Sequence, residues 1–401
     1  MKAGWRLIEL HNICLFENGD RGENYPSKSA QTTSGIPFIN AGHLTDDGID
    51  FSSMNYISKE RFNLLGNGKI QPNDFLFCLR GSLGKFACVD NLTEGAIASS
   101  LVIVRPTEQV LRGFLSAYFQ SDICVNMIEK YKNGAAQPNL SAGNLKKFLI
   151  PLPPLPEQQR IVAILDEAFE AIAAARANAE QNRQNARALF ESYLQSVFSQ
   201  RGDEWVEKSL EELGTITSSK RIFKSEYVSA GIPFYRTKEI KELANGRTIS
   251  TELFIAEERY KDIKSNFGVP KKGDILLTAI GTIGEVWVVD GSGDFYFKDG
   301  NVLWFKNFTS ILPTFLKYVL ESFVDSLNKM SHGSAYNALP IQRLKTHKIC
   351  LPSMIEQEQI VKSLVTLRNE TQHLESLYQR KIAALDELKQ SLLQQAFSGQ
   401  L

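Results

Sequence analysis

The sequence has few of the residues from which metal-binding, disulfide-stabilised or catalytic proteins are usually built. Its 401 residues include five cysteines, an odd number, without a Cys-x-x-Cys spacing. This argues against a disulfide framework or a zinc ribbon and favours a reducing compartment, so we expect a cytoplasmic protein. The five histidines are isolated from one another and show no metal-ligand spacing, so no bound metal is expected.

Long apolar runs and an excess of charge are also missing. No apolar stretch approaches the roughly 18 residues of a membrane span, and the first residues lack the apolar segment of a secretory signal. The formal net charge is zero. A neutral chain gives no support for nucleic-acid binding from bulk electrostatics, so such binding would need basic residues gathered on one face.

Catalytic motifs are equally scarce. The sequence contains no G-x-G-x-x-G or Walker loop, which leaves nucleotide binding unsupported. It has no Asn-Pro-Pro-Tyr-like or Asp-Pro-Pro-Tyr-like loop of an adenine methyltransferase and no G-x-S-x-G nucleophile elbow. We therefore expect a non-catalytic protein that binds no cofactor directly.

The main positive feature is an internal repeat. Residues 133–202 align without a gap to residues 332–401 at a constant offset of 199, with 19 identities in 70 positions. Chance identity at ordinary amino-acid usage is roughly 6%, or about four matches. A period this long is unlike that of short-unit solenoids. The chain therefore contains two copies of one module.

Each copy begins with a mixed part of short strands and turns. In both copies a strand, a glycine turn and a further strand precede a helix, which is predicted around Phe114–Lys130 and Phe315–Lys329. The offset between the copies drifts from 196 to 201 here, so insertions fall in the mixed parts. Variable loops on a fixed frame are where recognition usually lies. The predicted strands lie within Gly35–Phe38, Asp74–Arg80, Gly231–Phe234 and Asp274–Ile280.

A long helix is predicted to end each copy. Proline keeps residues 150–156 extended, and Glu157 then opens the first helix. Ser353 is the predicted N-cap of the second helix. Apolar residues at alternating spacings of four and three predict an antiparallel coiled-coil pair; two unrelated surface helices are the alternative. The predicted seams are Ile161, Leu165, Ala168, Ile172, Ala175, Ala179, Asn182, Ala186, Leu189 and Tyr193, and Ile360, Leu364, Leu367, Thr371, Leu374, Tyr378, Lys381, Leu385, Leu388 and Leu392.

The repeat predicts an α+β architecture in four segments. Two mixed domains (1–150 and 202–350) alternate with two conserved helical regions (151–201 and 351–401). Joining Leu401 back to Met1 would close the pattern, so we predict a pseudo-twofold, circular arrangement with the termini close together. The apolar end of the second helix, with Leu393 and Phe397, fits either a partner surface or a cap on the chain's own domain.

This arrangement resembles the specificity subunit of a type I restriction–modification enzyme. The resemblance rests on the stretch Ile150-Pro-Leu-Pro-Pro-Leu-Pro-Glu-Gln-Gln-Arg-Ile-Val162 and on the tail Leu393-Gln-Gln-Ala-Phe-Ser-Gly-Gln-Leu401. It covers the whole chain in the family's order of recognition domain, helix, recognition domain, helix. The second junction, Cys350-Leu-Pro-Ser-Met-Ile-Glu356, departs from the pattern because it has lost most of the prolines.

The resemblance implies a non-catalytic protein that reads a bipartite double-stranded DNA target, one half-site per domain. It also implies two methyltransferase subunits that bring S-adenosylmethionine and methylate adenine. Two restriction subunits that use ATP and magnesium would complete the complex. A bivalent scaffold for protein partners is the alternative that zero net charge favours. A fused recognition half of a self-contained methyltransferase–nuclease is a third reading, which the missing catalytic motifs oppose.

Candidate DNA-binding residues lie in loops beside the predicted strand ends and in polar segments before each junction. Arg, Lys, Asn and Gln suit base edges because they pair bidentately with guanine or adenine. The candidates are Asn40, His43, Arg80, Ser82, Lys85, Gln137, Asn139, Lys220, Arg221, Arg236, Thr237, Lys238, Thr278, Thr282, Lys298, Asn301, Tyr336 and Asn337.

Each candidate group also has an ordinary structural interpretation. Gly81 and Gly281 either let the backbone approach phosphate or form plain hairpin turns. Lys298 and Asn301 flank an Asp-Gly pair that is typical of a turn. Lys220 and Arg221 are better suited to phosphate than to bases, and a solvated charged face is equally consistent with them.

Overall fold

The computed structural model describes residues 2, 4–45, 48–90, 92–134, 138–199, 202, 204–323 and 339–401. The chain forms two compact units, one of Met1–Glu180 with Gln379–Leu401 and the other of Gln181–Tyr378. The cut falls within both long helices, so each unit contains one mixed domain and part of each helix. Among the described residues no helix is both long and apolar enough to cross a membrane.

The first unit is built around a four-stranded antiparallel sheet. Its strand order is Cys14–Asn18, Leu101–Pro106, Phe75–Cys78, Phe86–Cys88. The other strands are Arg6–Glu9 paired with Leu149–Leu152, the hairpin of Leu44–Thr45 and Gly48–Ile49, and a sheet of Asn55–Ile57, Ile36–Ile39 and Ala96–Ile97. The helices are Lys59–Leu64, Arg112–Gln120, Asp122–Tyr131 and Ala142–Leu145, with short 3-10 helices at Leu10–Asn12, Lys28–Ala30 and Ala41–His43.

The inner strand Phe75–Cys78 is buried on both faces of this sheet. Side chains alternate along a strand, so Phe75 and Phe77 face one apolar cluster while Leu76 and Cys78 face another. The first cluster also holds the end of the second long helix. There the ring centroid of Phe397 lies 5.0 Å from that of Phe114. The apolar helix end therefore caps the chain's own domain.

The second unit repeats this frame. Its corresponding sheet has the strand order Thr215–Thr217, Val302–Lys306, Ile275–Thr278, Val286–Val288. The other strands are Val206–Ser209 paired with Lys348–Leu351, and a sheet of Tyr227–Val228, Phe254–Ile255, Ile232–Tyr235 and Tyr296–Phe297. The helices are Leu210–Leu213, Thr237–Ala244, Glu257–Asn266, Pro313–Ser322 and Ile341–Lys345, with a 3-10 helix at Lys224–Glu226.

The core of the second unit follows the same plan. Ile275 and Leu277 face one cluster and Leu276 faces the other. The end of the first long helix inserts here, with the Phe198 ring centroid 5.4 Å from that of Phe315. Phe198 and Phe397 are equivalent positions of the repeat, so each long helix ends in the core of a mixed domain. The predicted α+β class, with two mixed domains and two long helices, is confirmed.

The long helices span Leu155–Ser199 and Met354–Ser398. The first begins two residues before the predicted Glu157, because proline is tolerated in the first helical turn. Ser353 caps the second as predicted, since its Oγ accepts a hydrogen bond from the Glu356 amide at 3.3 Å. Contacts within each unit, such as Arg176 with Asp386 in the first, show that the helices run antiparallel.

The predicted seams hold only in the first part of each helix. Ile161, Leu165, Ile172 and Ala179 are buried, whereas Leu189 and Tyr193 are exposed. From there on the buried positions shift by one residue, to Leu194 in the first helix and to Ile382 and Leu393 in the second. The predicted seam positions that are exposed, and so were wrong as core positions, are Asn182, Leu189, Tyr193, Leu374, Lys381 and Leu388.

The helix predicted around Phe114–Lys130 is divided in two. Ser121 interrupts it, because its hydroxyl accepts a hydrogen bond from the Cys124 amide and caps the second segment. In the second unit the corresponding helix ends at Ser322. The rest of the predicted Phe315–Lys329 segment lies mostly outside the described residues.

The two chain ends meet at one turn of the first long helix. Lys2 Nζ lies 2.9 Å from Glu157 Oε1, and Arg160 donates to the backbone oxygen of Leu401 at 2.5 Å. Glu157 and Arg160 also pair with each other. The predicted closeness of the termini is thereby confirmed within the first unit.

Candidate nucleic-acid interface

A glycine turn in the first unit gathers several predicted residues. The turn follows strand Phe75–Cys78, and Gly81 and Gly84 both have φ of +80°, which favours glycine. The segment before the first long helix runs alongside: the Gly81 amide donates to Pro138 O at 3.2 Å. This brings Arg80 and Ser82, both exposed, next to half-buried Asn139. Together with Lys85 they form what we call the first polar surface.

Asn40 is half-buried and His43 is buried, although the sequence suggested that both face outwards. His43 is 3% exposed, and its Nδ1 accepts a hydrogen bond from the Asn40 amide at 3.2 Å. Its Nε2 lies 3.1 Å from Ser53 O. The Asn40 side chain accepts from the Gly42 amide. Because both imidazole nitrogens are occupied by backbone partners, the interpretation of His43 as a base reader is corrected to a structural role.

In the second unit a helix, Thr237–Ala244, occupies the corresponding place after the strand Ile232–Tyr235. Arg236 is its N-cap and is held by two carboxylates, with Nη2 2.8 Å from Glu239 Oε1 and 2.7 Å from Glu252 Oε2. These hydrogen bonds raise the pKa of Arg236. Lys238 Nζ also reaches Glu252, at 3.2 Å. Arg236 is therefore committed to positioning the helix, whereas the Lys238 side chain remains 67% exposed.

Beside this helix lies the second glycine turn. Thr282 is exposed on it, whereas Thr278 is fully buried and accepts a hydrogen bond from the Glu285 amide at 3.0 Å. Thr278 therefore stabilises the turn and is not available to DNA, which corrects that prediction. An open pocket brings four predicted residues together, and we call them the second polar surface: Thr237, Lys238, Thr282 and Asn301.

The remaining predicted cations lie apart from this pocket. Lys220 is exposed, with its Nζ 4.7 Å from the centroid of the Phe267 ring. Arg221 pairs with Asp299 at 2.8 Å. The Lys298 amide donates to Tyr235 O, which places Lys298 at the end of the strand that precedes Arg236. Gln137, Tyr336 and Asn337 lie outside the described residues.

The two units thus have the same frame and different polar surfaces. In the first unit the hairpin of Leu44–Thr45 and Gly48–Ile49 lies against strand Phe86–Cys88. In the second unit the eight-residue helix Thr237–Ala244 packs there, with Ile240 buried against Trp287. The offset between equivalent strands rises stepwise, from 196 at Ile36 and Ile232 to 200 at Phe75 and Ile275, so residues are inserted at more than one place between the strands of a common frame.

Sequence reasoning missed a pair of buried glutamines. Gln158 is fully buried; its Oε1 accepts from the Leu111 amide at 2.8 Å, and its Nε2 donates to Gln109 O and Pro153 O. Gln357 makes the same three bonds, with the Leu312 amide, Ser310 O and Pro352 O. The Glu-Gln pair that both copies of the repeat contain was the sequence signal from which these glutamines could have been predicted. Each glutamine ties the start of a long helix to the start of a domain helix.

No group of His, Cys, Asp or Glu side chains in the described part of the chain could hold a metal ion. The chain thus has two mixed domains with matching frames and different polar surfaces, each in one unit with part of both long helices.

The sequence profile described as the type I restriction modification DNA specificity domain matches residues 2–181 and, a second time, residues 202–383. The two matches follow the two copies of the repeat. The chain therefore belongs to the type I restriction–modification DNA specificity family. It is a specificity subunit, a non-catalytic protein.

Similar proteins cover most of the chain. A Haemophilus influenzae protein named as a type I restriction enzyme specificity subunit is 27% identical over 353 residues, covering 84% of this chain and 82% of the relative. The EcoKI specificity subunit of Escherichia coli strain K12 is 21% identical over 427 residues, covering 100% and 90%. A solved chain from a study of the type I restriction–modification system has a TM-score of 0.83 at 22% identity, covering 100% and 99%.

Proposed function

We propose that each mixed domain reads one half-site of a bipartite double-stranded DNA target. The supporting observation is the contrast between the two units: one sheet frame presents a glycine turn in both, but the side chains around it differ. Arg80, Ser82 and Asn139 lie at the first turn. Lys238, Thr282 and Asn301 lie at the second. Different donors and acceptors on equivalent surfaces suit two different sequences.

Neutral net charge is consistent with this proposal because each polar surface has an exposed cation of its own. Arg80 is exposed on the first polar surface and Lys238 on the second. Phosphate contacts position a protein on DNA, and base contacts specify the sequence. A few cations beside polar side chains can make both kinds of contact, and the chain as a whole does not need a positive net charge.

The chain would also hold two adenine-N6 methyltransferase subunits on the long helices. Leu189 and Tyr193 are exposed in the second unit, 54% and 39%, and border an open groove with Leu367. The repeat places Leu388 and Leu392 at the equivalent positions in the first unit, where Leu388 is 47% exposed. Two equivalent apolar faces suit two copies of one partner.

In the full complex, two ATP-dependent restriction subunits would join this assembly in the cytoplasm. S-adenosylmethionine would be bound by the methyltransferase subunits, and ATP with magnesium by the restriction subunits. The specificity subunit would only select the DNA target and hold the other subunits in position.

Selection from a pool of random-sequence duplexes by the chain assembled with its methyltransferase subunit tests the reading role. We expect one motif with two fixed halves and an unspecified spacer, bound with an affinity that falls as salt rises. Recovery of no motif from a stable complex would contradict sequence reading and favour a scaffold for proteins alone.

A further inference from the structure

The long helices meet through ion pairs at equivalent positions of the repeat. In the first unit Arg176 Nε lies 3.5 Å from Asp386 Oδ1. In the second unit Arg187 Nε lies 3.9 Å from Glu375 Oε2. The offset of 199 makes Arg176 equivalent to Glu375 and Arg187 equivalent to Asp386. The first helix therefore supplies the basic member of both pairs, and the second helix supplies the acidic member of both.

Cation–π contacts follow the same division. In the first unit Lys389 Nζ lies 5.0 Å from the centroid of the Phe169 ring. In the second unit the Arg368 guanidinium lies 4.5 Å from the centroid of the Phe190 ring. Phe169 is equivalent to Arg368, and Phe190 to Lys389. Again one residue type comes from each helix: both aromatic rings from the first, both cations from the second.

We propose that these four contacts are a pairing code that selects a first helix and a second helix as partners and disfavours pairs of like helices from two copies of the chain. In an antiparallel pair of two second helices, Glu375 would face Asp386 and Arg368 would face Lys389. All four contacts would then bring like charges together, which is destabilising.

A pair of two first helices would be disfavoured less strongly. Arg176 would face Arg187 twice, but Phe169 would face Phe190, and aromatic rings attract each other. The code therefore acts mainly through the second helix. Arg368 adds to this, because it also pairs with Glu321 and lies 4.9 Å from the Tyr318 ring, both on helix Pro313–Ser322 of the mixed domain.

The consequence concerns target choice, and this part rests on the proposed function. A pair of like helices would carry two copies of one recognition domain. The code instead joins two different domains, so the target keeps two different half-sites. The pairing preference itself does not depend on DNA binding.

The ion pairs can be tested in the full chain without disturbing a buried group, because three of their side chains are exposed and Glu375 is half-buried. Glu375→Arg with Asp386→Arg makes both helices basic at the paired positions and imitates two first helices. Arg176→Glu with Arg187→Asp makes both acidic and imitates two second helices. We expect each double variant to lower the midpoint of thermal unfolding by about 2–4 °C, because exposed pairs are individually weak.

The fourfold variant that combines all these changes restores opposite charges and should recover the wild-type midpoint. The matched control is Glu358→Arg with Glu387→Arg, which makes the same charge change at exposed positions of the second helix and should leave the midpoint near wild type. A fourfold variant no more stable than the double variants would overturn the proposal, as would a control that falls equally. Loss of DNA binding with the stability pattern intact would count against the proposed function only.

Discussion

Gln158 and Gln357, 199 residues apart, occupy the same buried position and make the same hydrogen bonds in the two units. Each side-chain oxygen accepts from the backbone amide just before a domain helix, Leu111 in one unit and Leu312 in the other, both at 2.8 Å. Each side-chain nitrogen donates to two backbone carbonyls. The repeated Glu-Gln pair thus fixes the junction between domain and helix.

Gln158→Ala should lower the free energy of unfolding by about 2–4 kcal/mol, because it removes a fully buried side chain and leaves the Leu111 amide and the carbonyls of Gln109 and Pro153 without that partner. Gln357→Ala should have a similar effect in the second unit. Urea denaturation of the full chain measures both. Gln159→Ala is the control, because the Gln159 side chain is next in the sequence and is exposed. Equal losses of unfolding free energy from the two variants would show that the buried hydrogen bonds of Gln158 do not stabilise the fold.

Variants of the two polar surfaces should act on separate half-sites. Arg80→Ala should relax the sequence requirement in one half of the target, and Thr282→Ala in the other, because the two residues lie in different domains. For Arg80, loss of a good bidentate base contact costs about 1–3 kcal/mol of discrimination. Selection from random duplexes with each variant reads out both halves; a change that appeared in the same half for both variants would refute the assignment of one domain to each half-site.

Glu252 should limit the affinity for DNA of any sequence. Its carboxylate holds Arg236 and Lys238 in the free chain, so Glu252→Gln leaves Lys238 available to phosphate. We expect tighter binding to non-target DNA and a salt dependence that is steeper by about one contact. Glu258→Gln removes the same charge from another exposed position. If the two variants tighten binding equally, release of Lys238 is not the cause.

The contact between the chain ends predicts a pH dependence of stability. Hydrogen bonds from Arg160 and Lys2 lower the pKa of Glu157 from its ordinary 4.5 to about 2. A carboxyl group whose pKa is lowered by folding stabilises the folded state above its unfolded pKa, and this stabilisation is lost as the pH falls through the folded value. Glu157→Gln should therefore flatten the decline in stability between about pH 4.5 and 2. An unchanged acid profile in denaturant titrations would contradict the assignment.

The repeat was enough to predict the order of domains and helices. The offset of 199 located both junctions, and Ser353 caps its helix as expected. The glycine turns were also located correctly, since Gly81 and Gly281 have φ near +80°. These features depend on local chemistry, which a sequence shows directly.

The later part of each helix seam was wrong for a geometric reason. A strict seven-residue repeat drifts by about 20° per heptad on a straight helix. After three heptads the drift is about 60°, more than half of the roughly 100° that separates neighbouring residues on a helix, so the buried position moves by one. Leu194 is buried where Tyr193 was expected, and Ile382 is buried in place of Lys381.

Side-chain roles at the polar surfaces could not be predicted because they depend on distant partners. Glu252 lies 16 residues from Arg236, and Ser53 lies ten residues from His43. Nothing in the local sequence shows that His43 and Thr278 are buried, while Arg80 and Thr282 are exposed on turns. Exposure at the strand ends decides which polar residues can reach DNA.

Methylome sequencing of cells that express this chain with and without its methyltransferase subunit tests the central claim most directly. We predict N6-methyladenine at one bipartite motif only when both proteins are present, with two different halves separated by an unspecified spacer. Methylation of the same motif by the methyltransferase subunit alone would contradict target reading by this chain. Methylation by this chain alone would contradict its non-catalytic role.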